Sequence, residues 1–363
     1  LLGLKYFVSV GQISVAFPAL DMRGNFRLRK FLAGGSSLTE AHFADGGALE
    51  EVDYPATTSY VELKNLDNLT NEKCNTEACA PNVMSYFVSG CDNLQPVKKL
   101  IDIMDAQVGQ IPHALRYVRC VGFNETFTDG RAFDKLSQLV DGTYQGIDAE
   151  GQYGNDPYPV LDGTINLTTG AYRDTYDALM THYPKLKLNI AKWWIRFEDP
   201  EVKRICIENW DKDGDGELSM EEAASVSSIG TMFAGGSFKS LKELGLFGKI
   251  SMSKGAFQNI TVKDSIVIPE GCTEVSTVAF EKATVRTIEL PSTISFLDER
   301  CFMNSTVNSL VFHGKTPPKR YGYWEFANAK IKHIYVPDES VEAYRLANLA
   351  DWLEFEPLSE YHP

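Results

Sequence analysis

Four segments in the last third of the chain share one layout, and this repetition constrains the fold more than any other feature. Each segment ends in a phenylalanine that follows an apolar residue by five positions, and the phenylalanines are 23, 22 and 24 residues apart. The segments are Met252–Phe257, Val275–Phe280, Leu297–Phe302 and Tyr321–Phe326. A unit of this length cannot bury its apolar edge alone, so its copies must stack into a continuous core.

A short strand with apolar residues at alternate positions is predicted downstream of each phenylalanine. The strands cover residues 265–268, 287–290, 309–312 and 333–336, and three of them are followed by proline. One strand in each repeat of 22–24 residues predicts an α/β-type leucine-rich-repeat solenoid with a ladder of stacked phenylalanines. The alternative is an ordinary sheet whose spacing is coincidental.

The strand pattern also predicts a working surface, because successive side chains of a strand point to opposite faces. The core face is expected to hold Ile266, Ile268, Ile288, Leu290, Leu310, Phe312, Ile334 and Val336. The residues between them should form one exposed row, a candidate partner-binding surface made of Val267, Glu289, Val311 and Tyr335. The alternative is that the apolar residues of this row are present only because such residues favour strands.

A second feature, the twelve residues from Asp211 to Glu222, matches the pattern of an EF-hand calcium loop. Gly216 stands where the loop must turn sharply, and Asp199-Pro200 predicts the start of the helix that precedes the loop. The candidate ligands are the side chains of Asp211, Asp213, Asp215, Ser219 and Glu222 and the backbone carbonyl of Glu217. Calcium prefers such a set of hard oxygen ligands. Trp210, directly before the first ligand, is expected to pack between the loop and the repeats.

No second loop of this kind is present. The acidic segment 148–156 lacks the required glycine and is interpreted as a polar loop. A lone loop favours a structural calcium site over a sensor, because sensors usually work in pairs. An acidic turn without an ion is the alternative.

The phenylalanine-centred repeats resemble the BspA-like leucine-rich repeats of surface proteins from gut Gram-negative anaerobes. The close of the chain, Ile334–Tyr344 followed by Trp352, is similar to the terminal repeat and cap of such proteins, and the run 199–210 before the loop also occurs there. The resemblance covers about residues 199–352. It implies a secreted protein with a binding or adhesion role, attached to the outer membrane as a lipoprotein after removal of its signal segment.

Three domains are predicted. Residues 1–192 would form an irregular leucine-rich-repeat-like domain that ends in a strand over 163–167, a helix over 171–183 and a strand over 186–190. A mixed α/β domain is the alternative for this half, because apolar spacing alone does not distinguish the two. Residues 193–230 would form the EF-hand-like insert, and residues 231–363 the BspA-like repeats with a C-terminal cap.

Composition excludes several classes of partner. A net charge of −14 and a pI near 5.0 disfavour nucleic acid and anionic membranes, and no apolar run is long enough to cross a bilayer. Seven cysteines are too few for a disulfide scaffold. Cys74 and Cys79 could pair in an oxidising compartment, and the last three cysteines are expected in the core: Cys206, Cys272 and Cys301.

The usual catalytic motifs of serine hydrolases, zinc proteases and nucleotide-binding enzymes are absent from the sequence, which favours a non-enzymatic protein. Two functions remain open. The first is a surface adhesion module that binds a protein partner, and the second captures carbohydrate for a polysaccharide-uptake system. Glycan capture requires exposed aromatic faces. The tryptophans fall at predicted junctions and caps, which favours the protein partner.

Overall fold

A computed structural model of the chain describes residues 3–9, 19–110, 113–139, 152–153, 156–157 and 159–362. The chain divides into two units, Leu1–Ala191 and Lys192–Pro363. Most of the acidic segment 148–156 lies outside the described residues, and two short strands near it, Gln152–Tyr153 and Asp156–Pro157, pair antiparallel.

The first unit contains two sheets built from strands that recur along the chain. The larger sheet has the spatial order Leu186–Trp194, Val160–Tyr172, Tyr117–Phe127, Ser85–Ser89, Tyr60–Lys64, Glu40–Phe43 and Ala19–Met22. Its strands pair in parallel from Ala19–Met22 through Val160–Tyr172. The smaller parallel sheet contains Tyr6–Val8, Lys30–Leu32, Glu51–Asp53 and Cys74–Asn75. Alternating strands of two parallel sheets are the arrangement expected of stacked repeats.

Three α-helices accompany these sheets in the described part of the unit, namely Pro96–Ala106, Arg131–Gln138 and Arg173–His182. Short 3-10 turns lie at Asn71–Lys73 and Ala80–Asn82. The predicted strand, helix and strand near the end of the unit are present as Val160–Tyr172, Arg173–His182 and Leu186–Trp194. The first two helices were not predicted, although both have apolar residues at helical spacing, such as Val97, Leu100 and Met104 in the first and Phe133 and Leu136 in the second.

The second unit has the same plan. A parallel sheet contains, in order, Ser237–Phe238, Thr261–Val267, Thr284–Leu290, Thr306–Phe312, Lys330–Val336 and Glu356–Pro357. A smaller one contains Glu274–Val275, Phe296–Leu297 and Lys319–Arg320. The helices are Pro200–Trp210, Met220–Ala224 and Val341–Ala347, with 3-10 turns at Lys242–Leu246, Asp338–Ser340 and Leu358–Glu360. The four predicted strands are therefore present, each extended at its start.

The predicted phenylalanine ladder lies in the hydrophobic core of the second unit. Phe257 and Phe280 stack with ring centroids 5.0 Å apart, and Phe302 and Phe326 stack at 5.3 Å. Phe233 adds one more step before Phe257, at 6.3 Å. All eight residues predicted for the core face of the strands are buried. The stacked repeats thus share one hydrophobic core, as the sequence predicts.

All seven cysteines are free and buried. No disulfide joins Cys74 to Cys79, whose thiol instead contacts the carbonyl of Thr76 at 3.2 Å. The pairing considered from the sequence is therefore wrong for this structure, whereas the core positions of the last three cysteines are confirmed. Among the described residues, no helix has the length and apolar character needed to span a membrane.

Candidate functional site

The acidic loop of the second unit follows the helix Pro200–Trp210. Asp199 caps this helix, because its side chain accepts hydrogen bonds from the backbone N–H groups of Glu201 and Val202. Trp210, at the other end, packs edge-to-face against Phe247 with centroids 5.3 Å apart. The predicted packing of Trp210 is confirmed, and it fixes where the acidic loop begins.

Two glycines then turn the chain around the first aspartate. The backbone N–H groups of Gly214 and Gly216 donate to the carboxylate of Asp211 at 2.7 and 2.9 Å. Both glycines have positive φ, 73° and 82°, a region that other residues rarely adopt. As a result, the carboxylates of Asp211, Asp213 and Asp215 converge, with one oxygen from each lying within 4.8 Å of the others.

The last candidate ligand, Glu222, turns back toward the start of the loop. Its carboxylate accepts hydrogen bonds from the backbone N–H of Lys212 at 2.8 Å and of Ser219 at 2.9 Å, and from the Ser219 hydroxyl at 2.8 Å. Burial alone would raise the pKa of Glu222, but these hydrogen bonds lower it below its ordinary value. Glu222 is therefore held as a carboxylate, the form in which it can bind a metal.

The structure places Glu217 and Ser219 differently from the aspartates. The side chain of Glu217 accepts a hydrogen bond from the Lys203 ammonium at 2.6 Å, which leaves the Glu217 backbone carbonyl as its candidate ligand atom. The hydroxyl of Ser219 belongs to the capping box of the helix Met220–Ala224. The hydroxyl donates its proton to the Glu222 carboxylate and accepts from the Glu222 backbone N–H, which leaves one lone pair of the oxygen available to an ion.

Two residues of this site were missed by the sequence reasoning. The ammonium of Lys192 contacts Asp213 and lies 2.6 Å from a carboxylate oxygen of Asp215. The indole N–H of Trp194 donates to the same oxygen of Asp215 at 3.1 Å. Burial raises the pKa of Asp215, but the hydrogen bonds from Lys192, Glu217 and Trp194 outweigh it and lower that pKa. Asp215 therefore remains ionised beside the lysine.

Backbone pairing brings these two residues to the loop. Trp194 and Ser219 form an antiparallel bridge, and the N–H of Ile195 donates to the carbonyl of Leu218 at 2.8 Å. Since Lys192 precedes the first loop aspartate by many residues, no local spacing in the sequence could have revealed it.

The donor set fits a cation. Three carboxylates within 4.8 Å repel one another unless a positive charge lies among them, and the ammonium of Lys192 supplies such a charge in this structure. Oxygen donors at this spacing are those that calcium prefers. Asp211, Asp213, Asp215, Ser219, Glu222 and the carbonyl of Glu217 remain the candidate ligands, and the structure brings the side-chain oxygens of the three aspartates together.

The predicted partner-binding row is correct in register but wrong in exposure. Val267, Glu289, Val311 and Tyr335 lie side by side on neighbouring strands. However, Val311 is 0% exposed and Tyr335 9%, while Val267 and Glu289 are half-buried. The row is therefore not the open surface expected from strand alternation.

The chain itself covers this row. Near the C-terminus, Tyr361 packs on Tyr335 with centroids 5.2 Å apart, and its hydroxyl donates to Glu289 at 3.3 Å. At the other end, Gly245 lies so close to Val267 that a Cβ at Gly245 would approach a Val267 methyl to 2.6 Å. Burying apolar residues against the same chain gains the hydrophobic free energy that a partner would otherwise provide.

A different surface exposes large aromatic side chains, and we call it the aromatic edge. It consists of Phe296, Tyr321, Tyr323 and Trp324, which are 37%, 80%, 78% and 65% exposed. The ring of Tyr321 meets that of Phe296 edge-on at 6.4 Å. Gly322 holds the turn in place, because a Cβ there would lie 2.7 Å from the backbone of Glu299. Because large exposed apolar patches often serve as interaction surfaces, the aromatic edge is a candidate binding surface.

Comparison with known proteins identifies the repeats. Residues 232–348 match the family model of the BspA type leucine rich repeat region, in six copies. The match covers about a third of the chain and begins before the first segment recognised from the sequence. No curated protein and no solved structure matches the chain. Residues 232–348 of the second unit are thus similar to BspA-type repeats, a class of repeat that is generally non-enzymatic and serves binding.

Proposed function

We propose that this protein is a non-enzymatic adhesion protein of the cell surface, which presents its BspA-type repeats to a protein partner. It would be secreted and held at the outer membrane as a lipoprotein. The observation that carries the binding role is the aromatic edge, where Tyr321, Tyr323 and Trp324 are each at least 65% exposed. Aromatic anchors of this type dominate the binding energy of protein interfaces.

The binding role is tested by removing two of these rings. We expect the double variant Tyr323→Ser, Trp324→Ser to retain its fold but to lose most of its attachment to cells or matrix proteins. Leu346→Ser is the matched control, since Leu346 is 77% exposed and lies outside the aromatic edge. Undiminished attachment of the double variant would move the binding surface elsewhere.

Carbohydrate capture for a polysaccharide-uptake system is the second candidate, and one observation favours it. Trp324 does not lie in a buried cap but is exposed together with two tyrosines, as a sugar-stacking surface would require. A glycan array probed with the wild type and the double variant separates the candidates. Glycan binding that depends on Tyr323 and Trp324, without binding to protein partners, would establish the second function.

We further propose that the loop 211–222 holds a structural calcium ion. The convergence of three carboxylates around a turn already shaped by hydrogen bonds to Asp211 supports this assignment. The affinity should be on the order of 0.1–1 mM, as in extracellular calcium modules. An ion that binds only the folded state should raise the melting temperature as its concentration increases.

Calorimetry with calcium chloride tests the site directly. We expect saturable binding in the wild type, no binding in Asp213→Ala, and a calcium-dependent rise in melting temperature only in the former. Glu221→Ala is the control, because Glu221 is an exposed acid of the same segment that is not a candidate ligand. Equal responses of wild type and Asp213→Ala would refute the calcium site.

A further inference from the structure

Lys192 lies where a bound cation would compete with it. Its ammonium contacts Asp213 and Asp215, two of the three converging carboxylates. The lysine side chain is 20% exposed and that of Asp215 22%, so the contact with Asp215 is largely shielded from solvent, whereas the Asp213 side chain is 52% exposed. A lysine and a divalent ion cannot both be close to the same oxygens without strong repulsion.

The fold fixes the backbone of Lys192 beside the loop, whereas its ammonium lies at the end of a flexible four-carbon chain. Lys192 belongs to the strand Leu186–Trp194, whose last residue bridges to Ser219 on the exit side of the loop. Trp194 adds its indole hydrogen bond to Asp215. The strand therefore places Lys192 beside the acidic residues whenever the second unit is folded.

We propose that Lys192 is a built-in counter-cation of the loop 211–222, which neutralises Asp213 and Asp215 in the metal-free protein and must leave them when calcium binds. This inference rests on the calcium site proposed above. It has two consequences. The loop keeps its shape without metal, because the lysine offsets carboxylate repulsion, and calcium binds more weakly than the ligand set alone would permit.

The neighbouring Lys203 offers a matched comparison. Its ammonium pairs with the side chain of Glu217 at 2.6 Å, and that side chain is not a candidate ligand. Both lysines thus neutralise an acid of the same loop, but only Lys192 occupies oxygens that the metal needs. Removing Lys203 changes the local charge equally and leaves the ligand oxygens untouched.

The test is calcium titration by calorimetry of the wild type, Lys192→Met, Lys192→Gln and Lys203→Met. We expect both Lys192 variants to bind calcium about tenfold more tightly, since the binding-competent state no longer has to be freed of the lysine. In EDTA the same variants should melt at a lower temperature than the wild type, and excess calcium should close this gap. Lys203→Met should show a much smaller gain in affinity.

Each result decides the inference. Unchanged affinity in both Lys192 variants, or an equal gain in Lys203→Met, overturns it while leaving the calcium site intact. Calcium binding by the Lys192 variants but not by the wild type refutes the proposed structural calcium of the natural protein and supports the counter-cation in its strongest form. If none of the proteins binds calcium, both proposals fail. Circular dichroism confirms that the variants are folded, and Lys192→Gln serves if Lys192→Met does not fold.

Discussion

The rings of Phe280 and Phe302 stack in the core of the second unit, with centroids 5.2 Å apart and an interplanar angle of 4°. Both side chains are fully buried, so truncation leaves a cavity in a column of rings that neighbouring repeats share. We expect Phe280→Ala to lower the free energy of unfolding by about 3–5 kcal/mol, measured by urea denaturation. Leu346→Ala, at an exposed position, should change it by less than about 0.5 kcal/mol. Equal effects would show that the ladder is not a stabilising core.

Trp210 provides a second test of packing, at the start of the acidic loop. Its indole contacts Phe247 edge-to-face but is only half-buried, so the loss should be smaller than in the ladder. We expect Trp210→Ala to cost about 1–3 kcal/mol in unfolding experiments. Trp352→Ala, at a position that is 48% exposed, is the control. If both variants melt like the wild type, the loop is independent of the repeats.

Glu125 gives the first unit a pH-dependent stability. Its carboxylate is buried and accepts hydrogen bonds from the backbone N–H groups of Val97 and Lys98 at 2.7 and 3.0 Å, which caps the helix Pro96–Ala106. Burial raises the pKa of Glu125 to about 7, although these hydrogen bonds act in the opposite direction. Because the folded pKa exceeds the ordinary value, the stability contributed by the neutral Glu125 side chain is complete below pH 4.5 and is lost as the pH rises to about 7.

The measurement is the free energy of unfolding between pH 4 and pH 8, compared for wild type and Glu125→Gln. Glutamine cannot titrate, so the fall in stability between about pH 4.5 and about pH 7 should be reduced by up to about 3 kcal/mol in the variant. Parallel pH profiles would mean that Glu125 does not titrate in this range.

Because the cysteines are buried, we expect their thiols to react slowly in the folded protein. Burial raises the pKa of Cys74 to about 11 and that of Cys79 to about 12, and only the thiolate reacts readily. In the folded protein we expect a thiol reagent to modify no cysteine rapidly, whereas all seven should react in denaturant without prior reduction. Fewer reactive thiols in denaturant than in reduced, denatured protein would reveal a disulfide.

The repeat period could be predicted from the sequence because each copy has the same types of residue at the same positions. One ring of the ladder, that of Phe233, was not predicted from the sequence. Phe233 lies 24 residues before Phe257, but the residue five positions before it is Ser228 and not an apolar residue. The helix Pro96–Ala106 was not predicted either, although Pro96 at its start and the spacing of Val97, Leu100 and Met104 form a local helix pattern. The carboxylate that caps it comes from Glu125, far along the chain, and no local pattern records such a partner.

The burial of the predicted row could not be foreseen either. Alternation along a strand determines which side chains leave the core, and here it placed Val311 and Tyr335 on the same side as Glu289. It does not determine what lies over that side. Tyr361, which packs over this side of the sheet, is 72 positions away from Glu289.

The sequence by itself determined the strand register of the repeats, the buried ladder and the acidic residues of the loop, because these features depend on spacing within one or two repeats. The tertiary structure alone decided that Lys192 neutralises Asp213 and Asp215, that the C-terminal segment covers Tyr335 and that the aromatic edge is exposed. Such contacts join segments that are distant in the chain. Their free energy depends on the path of the whole backbone, and side-chain spacing carries no record of that path.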